Sequence, residues 1–310
     1  MGGLLTELGK KLAERWLSVL VLPGALYLAA MITAVVLGHG HPFEPRRLTD
    51  RLSQATTAAN APSAAGLIIV LLIGFLLAAA ACGLAAQALG AVAQRLWLAV
   101  DWQNWPPPLW QAAGALTRRR RVRWDHAMEE YQRIREEVAA ARALAWTDGT
   151  RAETPSLAAA YRPVSRISAG APERPTWMGD RLNGVSTRLA DELDLDLAVV
   201  WPYLWLAAPD TTRSEITAAR ESLDRATTLA GWGLLYLVVG AFWWPCLLVA
   251  VVVMLTAWRR GRAATDTYAL LIDATVRMRS AGLAQDLGLP HEGPLTRETG
   301  WALTTLLRNQ

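Results

Sequence analysis

From Ala226 to Trp258 the chain runs 33 residues without an Asp, Glu, Lys, Arg or His, and Trp243-Trp244-Pro245 stands near the middle of the run. A helix crossing a bilayer needs about 20 apolar residues, each rising about 1.5 Å. The run is too long for one crossing and slightly short for two. It is either a tight hairpin with both ends on one side, or one tilted helix that puts the last 50 or so residues across the membrane from those before it.

Two further apolar segments, 16–38 and 65–94, exceed the length of a spanning candidate. The expectation is an all-α integral membrane protein with four transmembrane helices in two hairpins, and a mainly helical cytoplasmic domain between spans 2 and 3. Along the chain it gives a cytoplasmic N-tail over 1–15, a first span over 16–38 and an extracytoplasmic loop over 39–64. A second span over 65–94 leads into the cytoplasmic domain, 95–225. The third span is 226–242, the outer turn 243–244, the fourth span 245–258, and 259–310 a cytoplasmic helical stalk and tail. The first segment is longer than the 7–15 residues or so of a signal-peptide core, so it is expected to stay as a helix. Pro23-Gly24 within it predicts a kink or a close helix contact.

Charge sets the orientation. Lys10, Lys11 and Arg15 precede the first span, while Arg46, Arg47 and Arg51 follow it, so that pair alone decides nothing. Arg95 and Arg118 to Arg121 with Arg123 follow the second span, and Arg259, Arg260 and Arg262 follow the long run. Basic residues near span ends favour the cytoplasm. A hairpin over 226–258 satisfies both groups and a single pass cannot. It also sends Trp232 and Trp258 toward the cytoplasmic interface and Trp243 and Trp244 to the far one, where indoles concentrate. Pro245 suits a first helical position. The arms are short by a few ångströms, which thinning of the bilayer or added turns would cover.

Composition narrows the partners. Lysine occurs only at Lys10 and Lys11 among 31 basic residues, the rest being Arg; with so much Ala this indicates a high-GC bacterial genome of the actinobacterial kind, hence the bacterial cytoplasmic membrane with both termini inside. A net charge of +4 does not argue for nucleic acid. Cys82 and Cys246 both lie in apolar segments and have neither metal-site nor disulfide-framework context.

Small residues stud the second span. Gly74, Ala79, Gly83, Ala86 and Gly90 offer the four-residue spacing that lets helices approach closely. The alternative is a pore-lining face, with Gln87 and Gln94 as its strongly polar groups. No span holds an ionisable residue at mid-depth, which argues against a pump or secondary transporter.

Past the second span, Trp97, Trp102, Trp105 and Trp110 surround Pro106-Pro107-Pro108, as in a segment lying in the headgroup layer. Arg118, Arg119, Arg120, Arg121 and Arg123 follow, and anionic lipid is their expected partner. From 124 to 146 the pattern is helical. Trp124, Tyr131 and Val138 recur every seven residues with Ile134 between, a stripe for the domain's own helices or, alternatively, for another subunit. Residues 147–176 carry Pro155, Pro163, Pro172 and Pro175 and are expected to form a loop. A helix is expected from about Asp180 to Glu192. The apolar stretch Leu195 to Leu206, interrupted by Pro202, predicts a buried turn or short strand. Thr212 and Glu215 match a capping box for the next helix. A stalk beyond the fourth span should stop near Gly288, and a last helix should start around Thr296.

Catalytic signatures are absent: no phosphate-binding glycine loop, nucleophile elbow, HExxH or paired-Cys site. His39 and His41 lack a completing ligand. Asp191, Glu192, Asp194 and Asp196 form an acidic cluster, and Asp194-Leu-Asp196 superficially resembles a glycosyltransferase DxD, but that class requires a nucleotide-binding α/β domain. No catalytic residue, cofactor or metal is expected.

Pro175-Thr176-Trp-Met-Gly179-Asp-Arg-Leu182-Asn183, followed by Asp196-Leu-Ala-Val-Val-Trp201-Pro202-Tyr-Leu204, resembles a recurring segment of uncharacterised bacterial four-span membrane proteins. In these a PTxxGN-like stretch precedes DxxxxWPxL and a hydrophobic hairpin follows. The match covers about 30 residues and departs at Asp180, where the pattern has Asn. The resemblance implies architecture and carries no activity. The functional expectation is a non-catalytic adaptor, anchor or sensor for a cytoplasmic protein, for anionic lipid, or for self-association; the alternative is an oligomeric ion channel or membrane-disrupting effector.

Overall fold

In the computed structural model the described residues are 21–38, 65–150, 154–290 and 293–309, with Glu7 and Ser53 alone outside these stretches. The N-tail, residues 16–20 of the first apolar segment, most of the 39–64 loop with its two histidines, and His291 lie outside the described residues. The described chain is all-α: nine α-helices and no strand. They are α1 (Leu22–Leu37), α2 (Ala65–Leu98), α3 (Leu109–Thr147), α4 (Leu157–Ile167), α5 (Trp177–Leu193), α6 (Leu197–Ala207), α7 (Asp210–Gly240), α8 (Pro245–Asp286) and α9 (Arg297–Arg308). One stretch, Ile68–Leu98, is long and apolar enough to cross a bilayer by itself; α1 and α6 are shorter apolar helices.

Two compact units share these helices. The first comprises 1–94 and 224–261. Here Ala79, Gly83, Ala86 and Gly90 lie on one buried face of α2, spaced by three and four residues. Gly24 of α1 meets that face at Ala79, and α7 meets it at two points, Gly231 on Ala86 and Thr227 on Gly90. At each, the backbones approach so closely that a Cβ on the glycine would stand within 3 Å of main-chain atoms. Gly74 departs from the expected packing role: it is exposed, with nothing near a Cβ built on it, because among the described residues the close backbone contacts to α2 begin at Ala79. From Ile68 to Leu77 every large apolar side chain of α2 is exposed.

The helix α7 stops at Gly240, Ala241 to Trp244 make the turn, and α8 starts at Pro245. Proline opens α8 without loss because the first helical N–H has no partner anyway. The Gly240 position faces Leu247 and Gly233 faces Met254, so the two helices run antiparallel through this region. Trp232 was expected at a membrane interface. Instead it is buried beside Tyr27, ring centroids 6.1 Å apart, because Gly231 draws α7 against α2 and turns the neighbouring indole inward.

The second unit comprises 95–223 and 262–310. The C-terminal stretch is therefore part of the helical domain and not a separate tail. Val185, Leu189, Leu195, Val200 and Leu204 share one core with Ala269, Ile272 and Val276 of α8 and Leu303 and Leu307 of α9. Side-chain caps fix several helix starts: Ser156 accepts from the Ala159 N–H, Thr176 from Gly179, Asp196 from Ala198 and Thr296 from Thr299.

Two local expectations fail for physical reasons. The expected loop 147–176 contains α4, whose Ser156 cap and buried Val164 outweigh Pro163, a residue turned to the exposed side. Leu195–Leu206 holds a helix, α6; the Asp196 cap and the burial of Val200 and Leu204 override the interruption at Pro202. The helix expected to start over Asp210–Glu215 does start there, at Asp210, so Thr212 lies inside its first turn rather than at the cap, and Arg213 pairs with Asp210. The acidic cluster is absorbed by structure: Glu192 pairs with Arg277, Asp196 with Arg308, the Asp191 carbonyl accepts from Arg297, and Asp194 ends α5 in a left-handed conformation.

Candidate functional site

The segment Glu173-Arg174-Pro175-Thr176, running into α5, closes the C-terminal end of α2. The last carbonyls of a helix lack backbone partners and carry partial negative charge. Here Thr176 donates its hydroxyl to the Trp97 carbonyl, and Arg174 donates to the Leu98 carbonyl at 3.0 Å. Gly179 sits against the Leu98 carbonyl, where a Cβ would stand 2.6 Å from the oxygen. The Arg174 guanidinium also donates to Asn183, and Asn183 in turn donates to Glu173. Beyond Leu98 the chain turns sharply through Ala99 and Asp101, both at positive φ.

Asp180 anchors this segment from below. It is buried, and accepts from Arg120 at 2.5 Å and from the backbone N–H groups of Glu173 and Arg174. Burial pushes its carboxyl above the ordinary value, and the Arg120 charge and the two N–H groups offset part of that. Arg120 also donates to the carbonyls of Arg174 and Ile167. Burial likewise pulls the Arg174 guanidinium below its usual value, with Asp180, Asp101 and Glu173 opposing. The Pro175–Asn183 segment is thus a clamp: Thr176, Asp180 and Asn183 each bond backbone or a charged partner, and Gly179 lets the chain approach the Leu98 carbonyl. Asp180 supplies the counter-charge for Arg120.

A cleft of about 470 Å³ opens beside the clamp. Asp101, Trp102, Gln103, Arg121, Arg174 and Asn183 give it its polar character. The Arg121 side chain makes no hydrogen bond or ion pair among the described residues, and the Asp101 carboxylate makes none beyond its longer-range attraction to Arg174. The indole N–H of Trp102 is occupied by the Glu173 carbonyl.

The expected interface residues divide. Arg118, Arg119, Arg121 and Arg123 are exposed on α3, as is Trp110. Arg120 differs from them: its side chain is 16 % exposed and donates to Asp180 and to two carbonyls, because its helical phase points it at α5. Trp97, Trp102 and Trp105 are half-buried. In the first unit Trp243 and Trp258 are half-buried and Trp244 is exposed. The stripe weighed for subunit contact is largely spent within the chain. Trp124 donates to the Ser168 carbonyl, Tyr131 meets Tyr161 edge-on with centroids 5.1 Å apart, Val138 is buried and Ile134 half-buried. Within the chain, α4 and the residue that ends it, Ser168, pack along this stripe.

Arg174, Asp101 and Gln103 were not singled out from the sequence, whereas Asn183 was, as the end of the Pro175–Asn183 motif. The adjoining Pro175–Asn183 motif was the signal that pointed near them. Among the described residues no group of three or more His, Cys, Asp or Glu side chains stands ready to hold a metal ion. Comparison with known protein families, curated proteins and solved structures gives no match.

Proposed function

We propose that the chain is a non-catalytic, four-span membrane protein of the bacterial cytoplasmic membrane that serves as an anchor or sensor for a cytoplasmic protein or anionic lipid. The observation that carries the reading is the unbroken apolar exterior of the first unit: Ile68 to Leu77 around α2, and Leu247, Leu248, Val251, Val252 and Leu255 along α8. Exposed apolar surface on that scale is expected against lipid or a partner. The spans would be α1, α2, the end of α7 and the start of α8. The last two are each about 15 residues, or about 22 Å, against a hydrocarbon core of about 30 Å, so the membrane would thin around them. Exposed Arg118, Arg119, Arg121 and Arg123 favour a cytoplasmic, lipid-facing α3.

The channel alternative needs the small-residue face of α2 free to pack around an axis. That face is taken by Gly24, Thr227 and Gly231 of the same chain, which favours the anchor reading.

The test is alkaline extraction of membranes carrying the full chain, combined with single-cysteine labelling between Trp243 and Trp244 and after Arg262. Retention in the pellet, with the first site labelled from outside and the second from the cytoplasm, is expected. A second site labelled from outside overturns the topology, and release into the supernatant overturns the membrane reading itself.

A further inference from the structure

The last apolar helix residue, Leu98, leads directly into the cleft through Ala99, Asp101 and Gln103. Apolar sequence in α2 gives way at Gln94 and Arg95, so Asp101 and Gln103 of the cleft follow the end of the apolar run by seven and nine residues along the chain.

Its unused groups carry opposite charge. Arg121 offers a planar fork of donors without a counter-ion, which matches a phosphate. Asp101, held at φ 50 at the start of the turn, offers a carboxylate without a hydrogen-bond donor. Gln103 adds an amide, and the Trp102 ring lines the wall. A volume of about 470 Å³ lies within the roughly 300–1,000 Å³ range of small-ligand sites. A purely anionic headgroup would leave Asp101 opposed to it, and a quaternary ammonium cannot donate a hydrogen bond to a carboxylate.

We infer that the cleft binds the headgroup of a phospholipid carrying both a phosphodiester and a primary ammonium, phosphatidylethanolamine in chemical class, with Arg121 on the phosphate and Asp101 accepting from the ammonium. This rests on the membrane reading above. It goes beyond it in naming a built, stereochemically defined site for a zwitterionic lipid rather than a diffuse attraction to anionic surface. The ligand chemistry is also that of free phosphoethanolamine, and the lipid is the source proposed.

The experiment is native mass spectrometry of the full chain released from detergent with added short-chain phosphatidylethanolamine, phosphatidylglycerol or phosphatidylcholine, and separately with free phosphoethanolamine. Phosphatidylethanolamine should be retained in a one-to-one complex. Arg121→Gln should weaken that retention about tenfold, as expected for loss of one charged bidentate contact. Asp101→Asn, which keeps a residue tolerant of the left-handed turn, should abolish the preference for phosphatidylethanolamine over phosphatidylcholine. Arg142→Gln, exposed on the same helix but outside the basic cluster, should change nothing. Equal retention of all three lipids, or equal retention by the wild type and Arg121→Gln, overturns the site; retention of phosphoethanolamine as strong as that of the lipid overturns the lipid source. Alkaline extraction reads the span independently, so failure of the cleft and failure of the membrane reading are separate results.

Discussion

Gly231 stands so close to Ala86 that a Cβ built on it would lie 2.0 Å from the Ala86 carbonyl oxygen. No side chain can move aside to relieve this, since the obstacle is main chain. Where apolar helices pack in lipid, association depends on such close approach more than on a hydrophobic driving force.

Gly231→Leu should therefore separate α7 from α2 at a cost of at least about 2 kcal/mol, the scale of overpacking in a close-packed interior. Gly74→Leu, on the same helix but in open space, should stay within about 0.5 kcal/mol. Thermal unfolding of the two variants in detergent distinguishes them. Equal melting temperatures would mean that the α2–α7 contact contributes little.

The Arg120–Asp180 pair predicts a difference among adjacent arginines. Arg120→Ala strands a buried carboxylate and should cost roughly 3 kcal/mol. Arg119→Ala, exposed one residue away, should be nearly neutral. Chemical denaturation of both variants checks this.

A pH dependence follows from the same carboxyl. Its folded-state value is raised by burial, so the folded protein holds that proton more tightly than the unfolded chain does. Its contribution is fully present below the unfolded value, about 3.9, and is lost as pH rises through the folded one. The stability of wild type relative to Asp180→Asn should thus decline from about pH 4 upward and then level off. A difference that grows with pH across that window would show that Arg120 and the two backbone donors outweigh burial.

At the other end of the second unit, Gly300 of α9 lies where a Cβ would meet the Leu193 carbonyl at 1.9 Å. Gly300→Val should lift α9 from α5, uncover Leu303 and Leu307, and open the C-terminal region to limited proteolysis. Unchanged cleavage would mean that the core persists without α9.

How far the sequence could be read depended on how local each cause was. Helix ends were legible where a single side chain decides them, as Thr296 does for α9 and the Gly288 region for α8. The all-helical class was legible from the long apolar runs and the heptad stripe of Trp124, Tyr131 and Val138. The loop expected over 147–176 was misread because proline spacing is local, while burial of Val164 is set by a partner helix. Leu195–Leu206 went wrong in the same way, since Pro202 is visible in sequence and the core that receives Val200 and Leu204 is not.

By itself the sequence determined that the chain is helical, that one stretch is long and apolar enough to cross a bilayer, and that small residues line one side of it, because hydropathy and residue volume belong to the residues alone. Only the tertiary structure decided which of five near-adjacent arginines turns inward to a buried carboxylate, which glycines of the second apolar helix make a close contact, and that residues 262–310 complete the core of the helical domain. Those outcomes depend on the phase of one helix against another. A rotation of about 100° per residue makes neighbours in sequence strangers in environment.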